Sequence, residues 1–217
     1  VPVQFYFLPH IENLVHDIDA CDFPACDLII SLDCGQIART GIEGLIRRRG
    51  KKQTFIEFDH HPKMEDESDL EIRVPEFSST SEIIYEFAKA NHIRFSKELA
   101  DCILTGIMTD TGNFMYPSTT DKTMDIASEM LIYGAKYPRV LKNTWQNKSF
   151  ASMKLWGEVL GNLQINSRYN FAFSVISHET FRESTATEEE LDGISGFLGN
   201  IYGVAGVLFL REEKLGF

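Results

Sequence analysis

Cysteine is scarce in this sequence, and what there is forms no useful pattern. The four cysteines, Cys21, Cys26, Cys34 and Cys102, contain no CxxC pair. That excludes a disulfide framework and a four-thiolate zinc site; Cys21 and Cys26 would make half of one, with no second half. Reduced thiols in a cytoplasmic protein are expected. Long apolar runs are missing too: none approaches the ~20 residues of a membrane span. Val1–Leu8 is apolar but lacks the basic flank and cleavage pattern of a signal peptide. Positive charge is in deficit, with 21 Lys and Arg against 32 Asp and Glu and a net charge of −11. This argues against salt-driven binding of long nucleic acid. It leaves open a short anionic substrate held through metal ions. There is no P-loop, no GxGxxG and no serine elbow, so a glycine cradle for nucleotides and serine nucleophile chemistry find no support. Repeats and low-complexity segments are absent.

The most informative stretch present is Phe55-Ile56-Glu57-Phe58-Asp59-His60-His61-Pro62. A β-branched and aromatic run reads as a buried strand that stops at an acid and two histidines. Asp27–Leu32 is a second such strand, ending at Asp33-Cys34-Gly35, and residues 37–49 between the two read as a helix. Strand, helix, strand with continuous apolar strands is the signature of a parallel sheet. Asp33 and Asp59 then share the crevice at the carboxyl ends of the strands, where α/β folds build sites. Arg47–Lys52 reads as the cationic C-terminus of the intervening helix, with Gly50 as its cap.

Residues 1–8 read as a strand and 9–26 as an acidic connector. An acidic loop follows Pro62. Ser79–Glu82 reads as a capping box opening a helix at 83–88. The helix at about 96–108 carries an apolar stripe of Leu99, Ile103 and Ile107, which Asp110 continues. A carboxylate aimed at a core is costly unless paired or metal-bound, so Asp110 is the third candidate acid. Another helix follows Ser118–Thr120 and ends at Gly134. Met153, Trp156, Val159, Leu160 and Leu163 form an amphipathic connecting helix. Beyond it, Phe171–Ile176 and Val204–Leu210 read as strands and Glu188–Leu198 as a helix. Oxygen and imidazole ligands without thiolate suit Mn²⁺ or Mg²⁺ better than structural zinc. On an extended backbone His60 and His61 would point in opposite directions, so one ligates and the other faces substrate or fixes geometry.

Four motifs, LIISLDCG (Leu28–Gly35), FDHHP (Phe58–Pro62), SSTSEIIYE (Ser78–Glu86) and TGIMTDTGNFMYPSTT (Thr105–Thr120), follow one another at a set spacing. Together they resemble the DHH family of phosphoesterases, most closely its bacterial nanoRNase and pAp-phosphatase branch. The resemblance implies an α/β fold with a parallel-sheet domain covered by helices on both faces, over 1–148. It implies a connecting helix over 149–168 and a partial, smaller α/β C-terminal domain over 169–217. It further implies a Mn²⁺-dependent dinuclear site, with Mg²⁺ or Co²⁺ as substitutes. That site hydrolyses short oligonucleotides from an end, or 3′-phosphoadenosine 5′-phosphate, by water activated between two metals. By motif match, Asp33 bridges the metals, His60 and Asp110 ligate them, His61 faces the scissile phosphate, and Asp59 orients the histidines. The implied partner is a short oligonucleotide or nucleotide, with a homodimer as the assembly and no membrane.

Two departures stand out. The family's Asp-x-Asp motif at the end of its first strand is missing, and so is the glycine- and histidine-rich motif of the C-terminal domain. The chain is therefore expected to be truncated at both ends. His16-Asp17-Ile18-Asp19 mimics the first motif but falls in the connector and reads as a solvated loop. An arginine common near the TDTG segment in relatives is replaced by Asn113 and Met115. The alternatives are a cyclic-dinucleotide phosphodiesterase, a RecJ-like exonuclease, a family II pyrophosphatase, or a catalytically incomplete fragment that binds metal or nucleotide.

Overall fold

Three short strands pair in parallel in the order β1-β2-β3: β1 Leu28–Leu32, β2 Thr54–Asp59 and β3 Leu70–Arg73. The computed structural model describes residues 1–191 and 193–213. The register sets Leu32 beside Phe58 and Asp59 beside Arg73, so the carboxyl ends of all three strands open to one side. On one face, Phe55 of β2 packs with Ile37 and with Ile46 of α1 (Glu43–Arg47). On the other, Phe58 meets the Phe87 ring of α2 (Thr80–Ala90) edge-on at 5.3 Å. The parallel α/β expectation, with helices on both faces, holds.

The helix expected over 37–49 is instead a 3-10 turn, Ile37–Thr40, and the short α1. Gly41 separates them in the left-handed conformation at φ 73°, which glycine adopts without the steric cost of a Cβ. Gly50 does not cap α1: the helix ends at Arg47 with Arg48 as its cap residue. Part of the basic cluster is taken up by neighbours, with Arg47 paired to Glu43 and Glu67 and Arg49 to Asp69.

Residues 1–8 are not a strand. They form a 3-10 turn at Val3–Phe5 and further turns closed by Tyr6 N–H to the Val3 carbonyl and Leu8 N–H to the Phe5 carbonyl. Helices claim the segment: Phe7 packs on the helical core, and Arg139 donates to its carbonyl at 2.7 Å. That core lies between α2, α3 (Lys97–Asp110), α4 (Asp121–Ile132) and α5 (Tyr137–Thr144), with Ile103, Leu104, Ile107, Ile126 and Met130 inside. β3, where an acidic loop was expected, is pinned at its start. The Asp69 N–H donates to the Phe55 carbonyl, and its carboxylate accepts the Phe55 N–H.

The chain divides into two units, Val3–Trp145 and a second from Gln146 onward. In the second, β4 (Gln164–Asn166) runs antiparallel to β5 (Phe171–Ile176), which is parallel to β6 (Gly206–Arg211). α6 (Phe150–Gly161) packs Leu155 and Val159 on this sheet, and the Ser174 hydroxyl donates to the Val159 carbonyl at 2.7 Å. α7 spans His178–Ser184. The helix expected over 188–198 is a 3-10 turn, Glu188–Leu191, and α8 (Ile194–Leu198), separated at Gly193 with φ 89°; Asp192 lies outside the described residues.

Candidate metal centre

The crevice at the carboxyl ends of β1 and β2 collects side chains from three elements. Asp33 follows β1 in the left-handed region, at φ 61°, with its N–H still donating to the Phe58 carbonyl of β2. A non-glycine residue there stores backbone strain, a feature concentrated at functional sites. Its carboxylate accepts the Thr80 hydroxyl at 2.8 Å, which ties it to the first residue of α2.

β2 ends at Asp59, so His60 and His61 do not continue an extended backbone. The chain folds back: the His61 N–H and its Nδ1 both sit 2.8 Å from Asp59 Oδ1. The histidine rings therefore do not diverge as an extended strand would dictate. They meet edge to face with centroids 4.6 Å apart. His60 Nδ1 lies 3.2 Å from the Phe77 carbonyl. A carbonyl only accepts, so Nδ1 carries a proton and Nε2 is the ring nitrogen turned toward the crevice. Nε2 faces two carboxylates, Asp33 Oδ1 at 3.5 Å and Asp110 Oδ2 at 4.0 Å. Asp33, His60 and His61 each offer a ligand atom within 4.8 Å of the others. All four candidate ligands and Asp59 belong to the first unit.

Asp110 is the last residue of α3. It continues the stripe of Ile103 and Ile107 but is only partly buried, while those isoleucines are fully so. Burial, then the nearby Asp33 carboxylate, pushes its pKa up to about 6, against the opposing pull of His60 and His61. The C-terminal end of a helix dipole also disfavours a carboxylate. A cation is what this corner lacks. Asp59 behaves oppositely. Burial would raise its pKa, but the His61 and Gly35 backbone N–H groups, the His61 ring and the Arg73 charge together hold it below the usual range. It remains an acceptor that fixes its neighbours.

Sequence reasoning missed three contributors. Arg73, at the end of β3, has a side chain only 7% exposed. It donates to the His61 carbonyl at 2.8 Å, approaches Asp59 Oδ2 at 3.6 Å and pairs with Glu71. Its register opposite Asp59 is the signal that would have found it, had β3 been recognised. Thr80 lay inside a quoted motif without an assigned role. Gly35, at φ 66°, gives its N–H to Asp59 Oδ2. Ser79 caps α2 as expected, but the box is half-built, because Glu82 takes the Ser78 hydroxyl at 2.5 Å. His16, Asp17 and Asp19 are exposed, and Asp17 only closes a local turn by accepting the Asp19 N–H. All four cysteines are free thiols.

The donor set fits a divalent ion: oxygen and imidazole atoms within one ion's reach, an acid destabilised by a neighbouring acid, and a histidine with its tautomer fixed from behind.

Residues 3–107 match the model of the DHH family's N-terminal domain; Asp110 lies just past that match. The chain is 32% identical over 205 residues to the bifunctional oligoribonuclease and PAP phosphatase NrnA of Bacillus subtilis, covering 93% of this chain and 64% of that protein. It is 34% identical over 147 residues to the probable NrnA of Streptococcus mutans, covering 68% and 47%. The chain thus spans about half to two thirds of these relatives' length. A solved structure of an exopolyphosphatase-related protein from Bacteroides fragilis superposes with a TM-score of 0.89 at 27% identity, over 99% of this chain and 65% of that one. Among the described residues no helix is long and apolar enough to cross a membrane.

Proposed function

The chain belongs to the DHH family, and from that premise we propose that it is a metal-dependent phosphoesterase acting on short oligonucleotides, on adenosine 3′,5′-bisphosphate, or on both. The observation that carries this reading is the aim of His60 Nε2 onto Asp33 and Asp110, fixed from behind by the Phe77 carbonyl. Asp33, His60 and Asp110 would hold the ion, with Mn²⁺ favoured by the mixed oxygen and imidazole set. Asp33, reaching toward both histidines, is suited to bridge a pair of ions. Divalent ions bound there supply Lewis acidity toward phosphoryl oxygens and lower the pKa of water at neutral pH.

The protein's own groups do the rest. Asp59 locks His61 by two hydrogen bonds, and the ring, 39% exposed, can donate to a phosphoryl oxygen through Nε2–H when it is protonated. Arg73 holds the His61 carbonyl and so the turn carrying both histidines. Thr80 fixes the Asp33 carboxylate in its strained backbone position. The net charge of −11 favours small substrates, whose charge the ions neutralise, over long polyanions. A soluble cytoplasmic enzyme is in keeping with this substrate class.

The test is turnover of a labelled dinucleotide and of adenosine 3′,5′-bisphosphate by the 217-residue chain with Mn²⁺. Turnover lost in His60→Ala supports the reading. A folded, Mn²⁺-binding chain that cleaves neither substrate would overturn it for this chain.

A further inference from the structure

Arg39 is the cation that the candidate centre leaves unused. It belongs to the 3-10 turn Ile37–Thr40 and is exposed; among the described residues its guanidinium has neither a hydrogen-bond nor an ion-pair partner. Arg47, Arg49, Arg73, Lys63 and Lys97 all find carboxylates.

The turn is rigid. Ile37 is fully buried against Ile46 and Phe55, its N–H donates to Glu65, and the Thr40 hydroxyl donates back to the Ile37 carbonyl at 2.6 Å. It also faces the centre. A Cβ built on Gly35 would lie 3.5 Å from Arg39 Nη1 and 3.7 Å from His61 Cγ. The guanidinium and the His61 ring thus flank the same bare stretch of backbone. Arg39 reaches the wall of the crevice without pairing to the carboxylates that would hold metal. A planar guanidinium with its donors free is suited to the oxygens of a phosphate.

We propose that Arg39 binds a second phosphate of the substrate, the phosphate monoester that is not cleaved, beside the phosphoryl group at the metal centre. This selects nucleotides carrying two phosphates over those carrying one, and it rests on the phosphoesterase reading above. The shared chemistry is a phosphate dianion, which either a bisphosphorylated nucleoside or a 5′-phosphorylated dinucleotide provides.

The test is calorimetric binding with Ca²⁺ in place of Mn²⁺, so that bound nucleotide is not consumed. Wild type, Arg39→Ala and Arg39→Lys are compared on two ligand pairs, AMP against adenosine 3′,5′-bisphosphate and ApA against pApA. Wild type is expected to prefer the member with the extra phosphate. Arg39→Ala should erase that preference, a loss of about 10- to 100-fold, the span of charge-assisted hydrogen bonds. Arg39→Lys should restore part of it, since it keeps the charge without the fork. Erasure in one pair alone identifies which kind of nucleotide Arg39 serves. The proposal is overturned if wild type shows no preference, if Arg39→Ala keeps both preferences, or if it weakens both members of each pair equally. Turnover with Mn²⁺ is read separately. A chain that shows the preference but cleaves nothing loses the functional reading and keeps the subsite.

Discussion

His60 Nδ1 is held by a carbonyl, His61 Nδ1 by a carboxylate, and the Asp59 carboxylate by three donors and a cation. The last partner is the most exposed to test. Arg73 is buried between Glu71 and Asp59. Arg73→Met would leave the buried Asp59 carboxylate without its cation and Glu71 with Lys63 alone, at a cost of about 3 kcal/mol. Urea denaturation should show that loss, with Arg73→Lys intermediate. Asp110 gives a pH signature. Its pKa rises from 3.8 to about 6, so the folded chain holds this proton more tightly than the unfolded chain does. Its contribution to metal-free stability is then full below 3.8 and is lost as pH rises through about 6. Metal-free Asp110→Asn should melt roughly 2–6 °C above wild type at pH 7.5. It should match wild type near pH 4. Saturating Mn²⁺ should reverse the order at pH 7.5, because only the carboxylate ligates.

At the scale of elements, the crevice depends on how closely α3 lies against α2. Gly106 sits one turn before Asp110, and a Cβ there would fall 1.9 Å from Ser81 Oγ and 2.9 Å from Ser81 Cβ. Gly106→Ala must push the helices apart and is expected to cost about 1–3 kcal/mol. Ser81→Gly in the same chain should recover most of that, as read from the urea midpoint. The elements also show what was legible. β1, β2, β5 and β6 could be read because each is a continuous apolar run. β3 was not, because Glu71 and Arg73 interrupt Leu70 and Ile72, and the charges look like a loop until their partners are known. Residues 1–8 show the reverse error: their strand-like composition is overridden by Phe7 docking on helices. The acids at strand ends were visible from pattern alone. Arg39, Arg73 and Thr80 were not, because their relation to the centre is made by folding.

For the whole molecule, a net charge of −11 is a standing repulsion that a divalent cation relieves most where acids crowd, and the crevice of Asp33, Asp59 and Asp110 is such a place. The proposed chemistry requires this crevice to be a metal centre. The most direct measurement is a calorimetric titration of the metal-stripped chain with Mn²⁺ at pH 7, repeated in two buffers of different ionisation enthalpy. At least one Mn²⁺ per chain should bind, with net proton release as Asp110 ionises fully. His60→Ala should weaken binding by about 10- to 100-fold or more while the chain stays folded, at least the loss seen when a ligand's outer support is removed. A folded wild-type chain that binds no Mn²⁺, or a His60→Ala chain that binds it as tightly as wild type, would contradict the account.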